Sequence, residues 1–112
     1  MINHSEITML YQEIKVALSS KLGSQGYLFV HEEYHDPVFD SRYIIWSNNE
    51  EAVRFVWDGK ESWFRLEITN VLPLSAKTPW SEIMIKPYDP VKDNSNYRNS
   101  IVGEIVGSLS GD

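Results

Sequence analysis

Cysteine is absent from all 112 residues. Disulfide frameworks, thiolate zinc sites and cysteine nucleophiles are therefore excluded, and a reducing compartment is compatible. A basic excess is missing too: 10 Lys and Arg stand against 16 Asp and Glu, for a net charge of −6 and a pI near 5.0. Phosphate backbones need a net basic face, so nucleic acid is not expected as a partner. No apolar run approaches the ~18 residues of a membrane span. The opening MINHSEITML lacks the basic-then-apolar order of a secretory signal. A cytoplasmic location without membrane contact is the expectation. Phosphate-loop, dinucleotide-loop and nucleophile-elbow patterns are likewise not found.

What remains is ordinary globular material. Hydrophobic residues make up 42% and charged residues 23%, which suits one soluble domain with a single core. The strongest local signal is Val53 to Ile68, VRFVWDGKESWFRLEI. Two alternating apolar/polar runs flank Asp58-Gly59-Lys60-Glu61, and this predicts a β-hairpin. Opposing Trp57 to Ser62 sets Phe55 against Phe64 and Val53 against Leu66, which keeps like faces together. A slip of one residue would set Val53 against Arg65 and mix the faces.

An N-terminal helix precedes the hairpin. Ile7, Leu10, Tyr11, Ile14, Ala17, Leu18 and Leu22 recur at three- and four-residue steps, with Asn3 or Ser5 as cap and Gly23 and Gly26 as terminators. Strands follow at Tyr27 to about Tyr34 and at Phe39 to Ser47. Asp36-Pro37 turns between them, and Asn48-Asn49 supplies turn residues tolerant of positive φ. Residues 71–94 hold four prolines, at 73, 79, 87 and 90. So long a connection is unusual inside one domain, and Trp80 to Lys86 is expected to hide a short strand or a helical turn. Asn94 or Ser95 caps a last helix with Ile101, Val102, Ile105, Val106 and Leu109 on one face. The fold expected is α+β: N-terminal helix, four-stranded antiparallel meander with a possible fifth short strand, C-terminal helix.

The hairpin pattern assigns faces. Val53, Phe55, Trp57, Phe64, Leu66 and Ile68, joined by Ile44 and Trp46, form the core face. Arg54, Val56, Trp63, Arg65 and Glu67, with Tyr43 and Ile45, form the other. That outward face is half apolar, so something should cover it. The C-terminal helix, the proline-rich segment, or Trp63 lying over the arginines would serve. A protein-binding or dimer surface is the competing reading, since aromatic and arginine clusters favour interfaces.

His31-Glu32-Glu33-Tyr34-His35 spells H-E-x-x-H. On a helix this spacing puts two histidines beside one zinc, with the glutamate acting on its water. Here the preceding Gly-Tyr-Leu-Phe-Val reads as strand. Four extended residues span about 13 Å, too far for two ligands of one ion. No metal or cofactor is expected, and a metal-dependent hydrolase is the weakest reading. Glu32, Glu33, Asp36 and Asp40 are a solvated strand edge or an acidic patch for a basic partner. Glu50-Glu51 and Asp58 with Glu61 sit in turns, where carboxylates lack the shaped pocket that acid/base work needs. His4 has no sequence partner. Gly103, Gly107 and Gly111 recur every four residues, which permits close helix packing or weakens the helix.

Phe39-Asp40-Ser41 entering a strand, followed by Val53-Arg54-Phe55-Val56-Trp57-Asp58-Gly59-Lys60-Glu61, resembles the central meander of small bacterial immunity-type families. The resemblance covers about residues 27–69. It implies a non-catalytic protein that binds and blocks a cognate toxin, with exposed acidic and aromatic positions making contact, and it brings no catalytic residues. The negative charge suits a basic toxin. Partner-binding candidates are Arg54, Trp63, Arg65, Tyr43, Glu32, Glu33 and Asp36. The alternative function is a self-associating, homodimeric accessory domain using the outward sheet face.

Overall fold

A computed structural model describes residues 4–36 and 38–109, with side chains for residues 7–34 and 38–109. Helix α1 runs His4–Gly23 and is followed by five strands: β1 Leu28–Asp36, β2 Ser41–Ser47, β3 Ala52–Asp58, β4 Trp63–Thr69 and β5 Ser81–Pro87. A 3-10 turn, Pro90–Lys92, leads to helix α2, Ser95–Gly107. The sheet is a wholly antiparallel meander in the order β1-β2-β3-β4-β5. No helix among the described residues is long and apolar enough to cross a membrane.

The α1 stripe is buried as its spacing predicts, with Ile7, Leu10, Tyr11, Ile14, Leu18 and Leu22 nearly inaccessible. Gly26 closes the helix with φ +89, where glycine carries no Cβ penalty. The proposed caps Asn3 and Ser5 lie outside the described residues or side chains. Asn94 caps α2, accepting a hydrogen bond from the Tyr97 N–H at 2.9 Å. Ile101 and Ile105 are its buried residues, and Val102, Val106 and Leu109 pack beside them. An added Cβ at Gly103 or Gly107 would meet nothing within 4 Å. The glycines therefore weaken the helix rather than admit a neighbour; Gly111 lies outside the described residues.

Both helices lie on one face of the sheet. Their apolar stripes share a core with Ile44, Trp46, Val53, Phe55, Trp57, Phe64 and Leu66, the predicted inward face. The aromatic rings run in a chain: Tyr11 stacks on Phe55 at 5.3 Å, Phe55 stacks on Phe64 at 5.6 Å, and Trp57 meets Phe64 at a tilt at 4.7 Å. Tyr88, from the proline-rich stretch, closes the chain edge-on to Trp57 at 6.1 Å.

The hairpin register differs from the one expected by two residues. Trp57 opposes Phe64, Phe55 opposes Leu66 and Val53 opposes Ile68. A shift of two preserves the faces, so the inward and outward sets stand while the pairs change. The cause is the turn, which occupies residues 59–62. Ser62 adopts φ +61, its N–H donates to the Asp58 carbonyl at 2.8 Å and its carbonyl accepts from the Tyr88 N–H at 3.0 Å. Gly59 packs under the β1–β2 connection so closely that a Cβ there would lie 1.5 Å from the Phe39 carbonyl oxygen. Asn48 holds the expected turn through its side chain. It does not take positive φ; its side-chain oxygen accepts from the N–H groups of Glu50 at 2.8 Å and Glu51 at 2.7 Å. The Asp36-Pro37 turn falls partly on Pro37, outside the described residues.

The undecided stretch is a full strand. β5 pairs with β4 through Leu66↔Met84 and Arg65↔Ile85, and a register shift follows before Glu67↔Glu82. Ile83 and Met84 both pack against the core, as a β-bulge allows.

Candidate functional site

The outward face is built by alternation. Cross-strand partners share a face, so Tyr43↔Val56↔Arg65↔Ile85 and Ile45↔Arg54↔Glu67 form two transverse rows. Trp63 extends this face at the hairpin end, opposite Asp58 and Pro87. His31 and Glu33 join it from β1, opposite Ile45 and Tyr43.

The cover is the proline-rich segment. Leu74, Ser75, Ala76, Thr78 and Trp80 border, together with Val30, Tyr43, Ile45 and Arg54, an open hollow of about 500 Å³. Arg54 is clasped there: its Nε donates to Glu67 Oε1 at 2.8 Å, and its guanidinium lies 4.4 Å from the Trp80 ring and 5.7 Å from that of Tyr43. Ile45, Val56 and Glu67 end up buried. The C-terminal helix, the other cover considered, lies on the opposite face with α1. The arginine stacking on this face is made by Trp80 and Tyr43, not by Trp63.

A second hollow of about 300 Å³ adjoins the first, sharing Tyr43 and Arg54 and adding Val56, Asp58, Lys60 and Arg65. Arg65 differs from the other two sheet arginines. Arg42 is buried against Asp40 on the core side, and Arg54 is paired with Glu67. Arg65 Nε and Trp63 Nε1 are both shielded from solvent and have no acceptor among the described residues. Burial raises the Tyr43 phenol above its usual range; Glu33, which accepts its O–H at 3.4 Å, raises it further, and Arg54 opposes the rise.

The predicted site residues therefore separate. Tyr43, Arg54 and Arg65 line one hollow, with Trp63 and Glu33 on the same face. Glu32 is on the other face, opposite Ile44, where it accepts from the Tyr11 hydroxyl at 3.1 Å and pairs with Lys15 Nζ at 2.7 Å. Asp40 is buried against Arg42. The acidic run is thus no continuous patch: alternation sends Glu32 and Glu33 to opposite faces, and Asp40 neutralises a core cation. The side chain of Asp36 lies outside the described ones.

The H-E-x-x-H segment lies within β1, so its histidines are spaced along a strand rather than along one helix face. His31 Nε2 sits 3.1 Å from Glu33 Oε1, and the side chain of His35 is not among those described. No group of three or more His, Cys, Asp or Glu able to hold a metal occurs among the described residues. His4 lies at the start of α1, with its side chain also outside the description.

Two features escaped the sequence reading. Trp80 as the lid over Arg54 had no periodic signal, because it stands in an irregular segment. The second is the exposure of the outer strand: Leu28, Phe29, Val30 and Tyr34 of β1 face solvent, Leu28 at 75%, and among the described residues β1 is the first strand of the sheet order, paired to β2 alone. Comparison with family models, with curated proteins and with solved structures returned no match.

Proposed function

We propose that this chain is a small, non-catalytic protein-binding domain that engages its partner through the outward face of the sheet. The observation that carries the reading is that face itself. It sets Tyr43 and Arg65 on strands that border two adjoining hollows, with Trp63 on the same face; Arg65 Nε has no acceptor among the described residues, and aromatic and arginine side chains on a sheet are what interface centres use. Within that class, the proposed role is that of an immunity-type protein, cytoplasmic, neutralising a cognate toxin. The net charge of −6 favours fast encounter with a basic partner.

Growth rescue tests the role. If the gene immediately upstream encodes a toxin domain, co-expression of this protein should relieve its growth arrest. The folded double variant Trp63→Ala, Arg65→Ala should relieve it poorly. Rescue undiminished in the double variant would remove the outward face from the mechanism. Absence of rescue would remove the immunity role.

Self-association is a second reading, favoured by the exposed apolar residues of β1, since an unpaired strand edge is a template for another chain. Light scattering at micromolar concentration separates the two, because only this reading requires a dimer.

A further inference from the structure

We propose that the hollow around Arg65 is an oxyanion subsite, and that its occupant is a carboxylate side chain on a partner segment whose neighbouring apolar side chain enters the adjoining hollow. This deepens the protein-binding reading and rests on it.

Arg54, Lys60 and Arg65 line the smaller hollow against a single carboxylate, Asp58, in a protein of net charge −6. That carboxylate is already engaged, since Asp58 Oδ1 accepts the Glu61 N–H at 3.1 Å in the hairpin turn. Arg54 has its anion in Glu67. Arg65 has none among the described residues, and its buried Nε–H lacks an acceptor. Arg65 stands between Val56 and Ile85 in the outward row; its Nε is cut off from water, while the side chain as a whole stays part-exposed and open to an incoming anion. Such a group favours an incoming oxyanion, and its planar fork suits a carboxylate.

Shape then selects the source. Across the shared Tyr43 and Arg54, the cationic hollow neighbours the larger one, whose apolar lining includes Ile45, Leu74 and Trp80. A free inorganic anion would use only the first. A chain segment with an acidic residue beside an aromatic or aliphatic one would fill both, and their volumes of about 300 and 500 Å³ are of side-chain to small-ligand scale.

The test is a titration of the isotope-labelled protein, following the arginine Nε–Hε resonances; a buried Nε–H exchanges slowly enough to be seen. The probes are the blocked dipeptides acetyl-Glu-Phe-amide and acetyl-Gln-Phe-amide, and inorganic phosphate. The acidic dipeptide is expected to shift Arg65 and bind at least about tenfold more tightly than the neutral one. Arg65→Gln should abolish that preference. Equal binding of the two dipeptides, or no shift at Arg65, overturns the proposal. Phosphate moving Arg65 while the acidic dipeptide does not would overturn the peptide source. The wild-type titration needs no variant, so misfolding of Arg65→Gln leaves the test standing. A toxin complex that forms while the dipeptides are not discriminated refutes the subsite and leaves the protein-binding reading intact.

Discussion

Replacing Gly59 with alanine adds one methyl group at the most crowded of the described glycines. Its Cβ would fall 1.5 Å from the Phe39 carbonyl oxygen and 2.6 Å from the carbonyl carbon. Both are backbone atoms, so no rotamer change relieves the overlap; the hairpin and the β1–β2 connection must part. Parting them also stretches the bond from the Gly59 N–H to Ser41 Oγ, now 2.9 Å. Overpacking of this kind costs about 1–3 kcal/mol, and the hydrogen bond adds about 1 kcal/mol. A total of roughly 2–4 kcal/mol is a large share of the ~5–15 kcal/mol that holds a domain together. For a domain near 100 residues it lowers Tm by roughly 10–25 °C. Urea unfolding should show the lower midpoint with an unchanged slope. A Gly59→Ala protein within about 0.5 kcal/mol of wild type would refute the close approach. Gly103→Ala is the matched control: it meets nothing within 4 Å on an exposed helix position and should stabilise by about 0.5–1 kcal/mol.

Asp40→Asn should destabilise by about 3–5 kcal/mol in denaturant titration, because it leaves Arg42 buried without its anion. Asparagine tolerates the φ of +64 at this position, so backbone strain does not confuse the result; a loss under about 1 kcal/mol would refute the pair's role. The Tyr11 and Tyr27 phenols are pushed well above their ordinary value of 10.0, in both cases first by burial and then by the glutamates that accept their protons. The unfolded chain therefore ionises these groups near pH 10 while the folded one does not, so stability present below pH 10.0 is lost progressively above it. Absorbance titration at 295 nm checks this; six simple titrations near pH 10, one for each tyrosine in the chain, would contradict it.

Period-two alternation made the two faces of β2, β3 and β4 legible, because which side a residue occupies depends only on parity along the strand. The same arithmetic could not detect a register error of two, since that error leaves every face intact. Ser62 in the left-handed region and its bonds to Tyr88 settled the pairing, and nothing local to the hairpin announces a partner 26 residues away. β5 was ambiguous for a related reason: the bulge that turns both Ile83 and Met84 to the core breaks the alternation that would have marked a strand.

The site divides along the same line. Local pattern alone placed Tyr43, Arg54, Trp63 and Arg65 on one outward face, and showed that face too apolar to be left wholly to water. Pattern could not say what lies across it. That the segment from Leu74 to Trp80 folds over Arg54, and that α2 joins α1 on the far side, follows from how the chain closes on itself over long separations. The charges show the contrast most clearly. Glu32, Glu33 and Asp40 lie close in sequence, yet strand alternation sends Glu32 and Glu33 to opposite faces, the fold brings Lys15 of α1 to Glu32, and Asp40 is buried against Arg42. Arg65, alike with Arg54 in the sequence pattern, is the sheet arginine without an anion among the described residues, because packing gave Asp40 to Arg42 and Glu67 to Arg54. Side-chain direction is a property of the strand; which opposite charge stands within reach is a property of the fold.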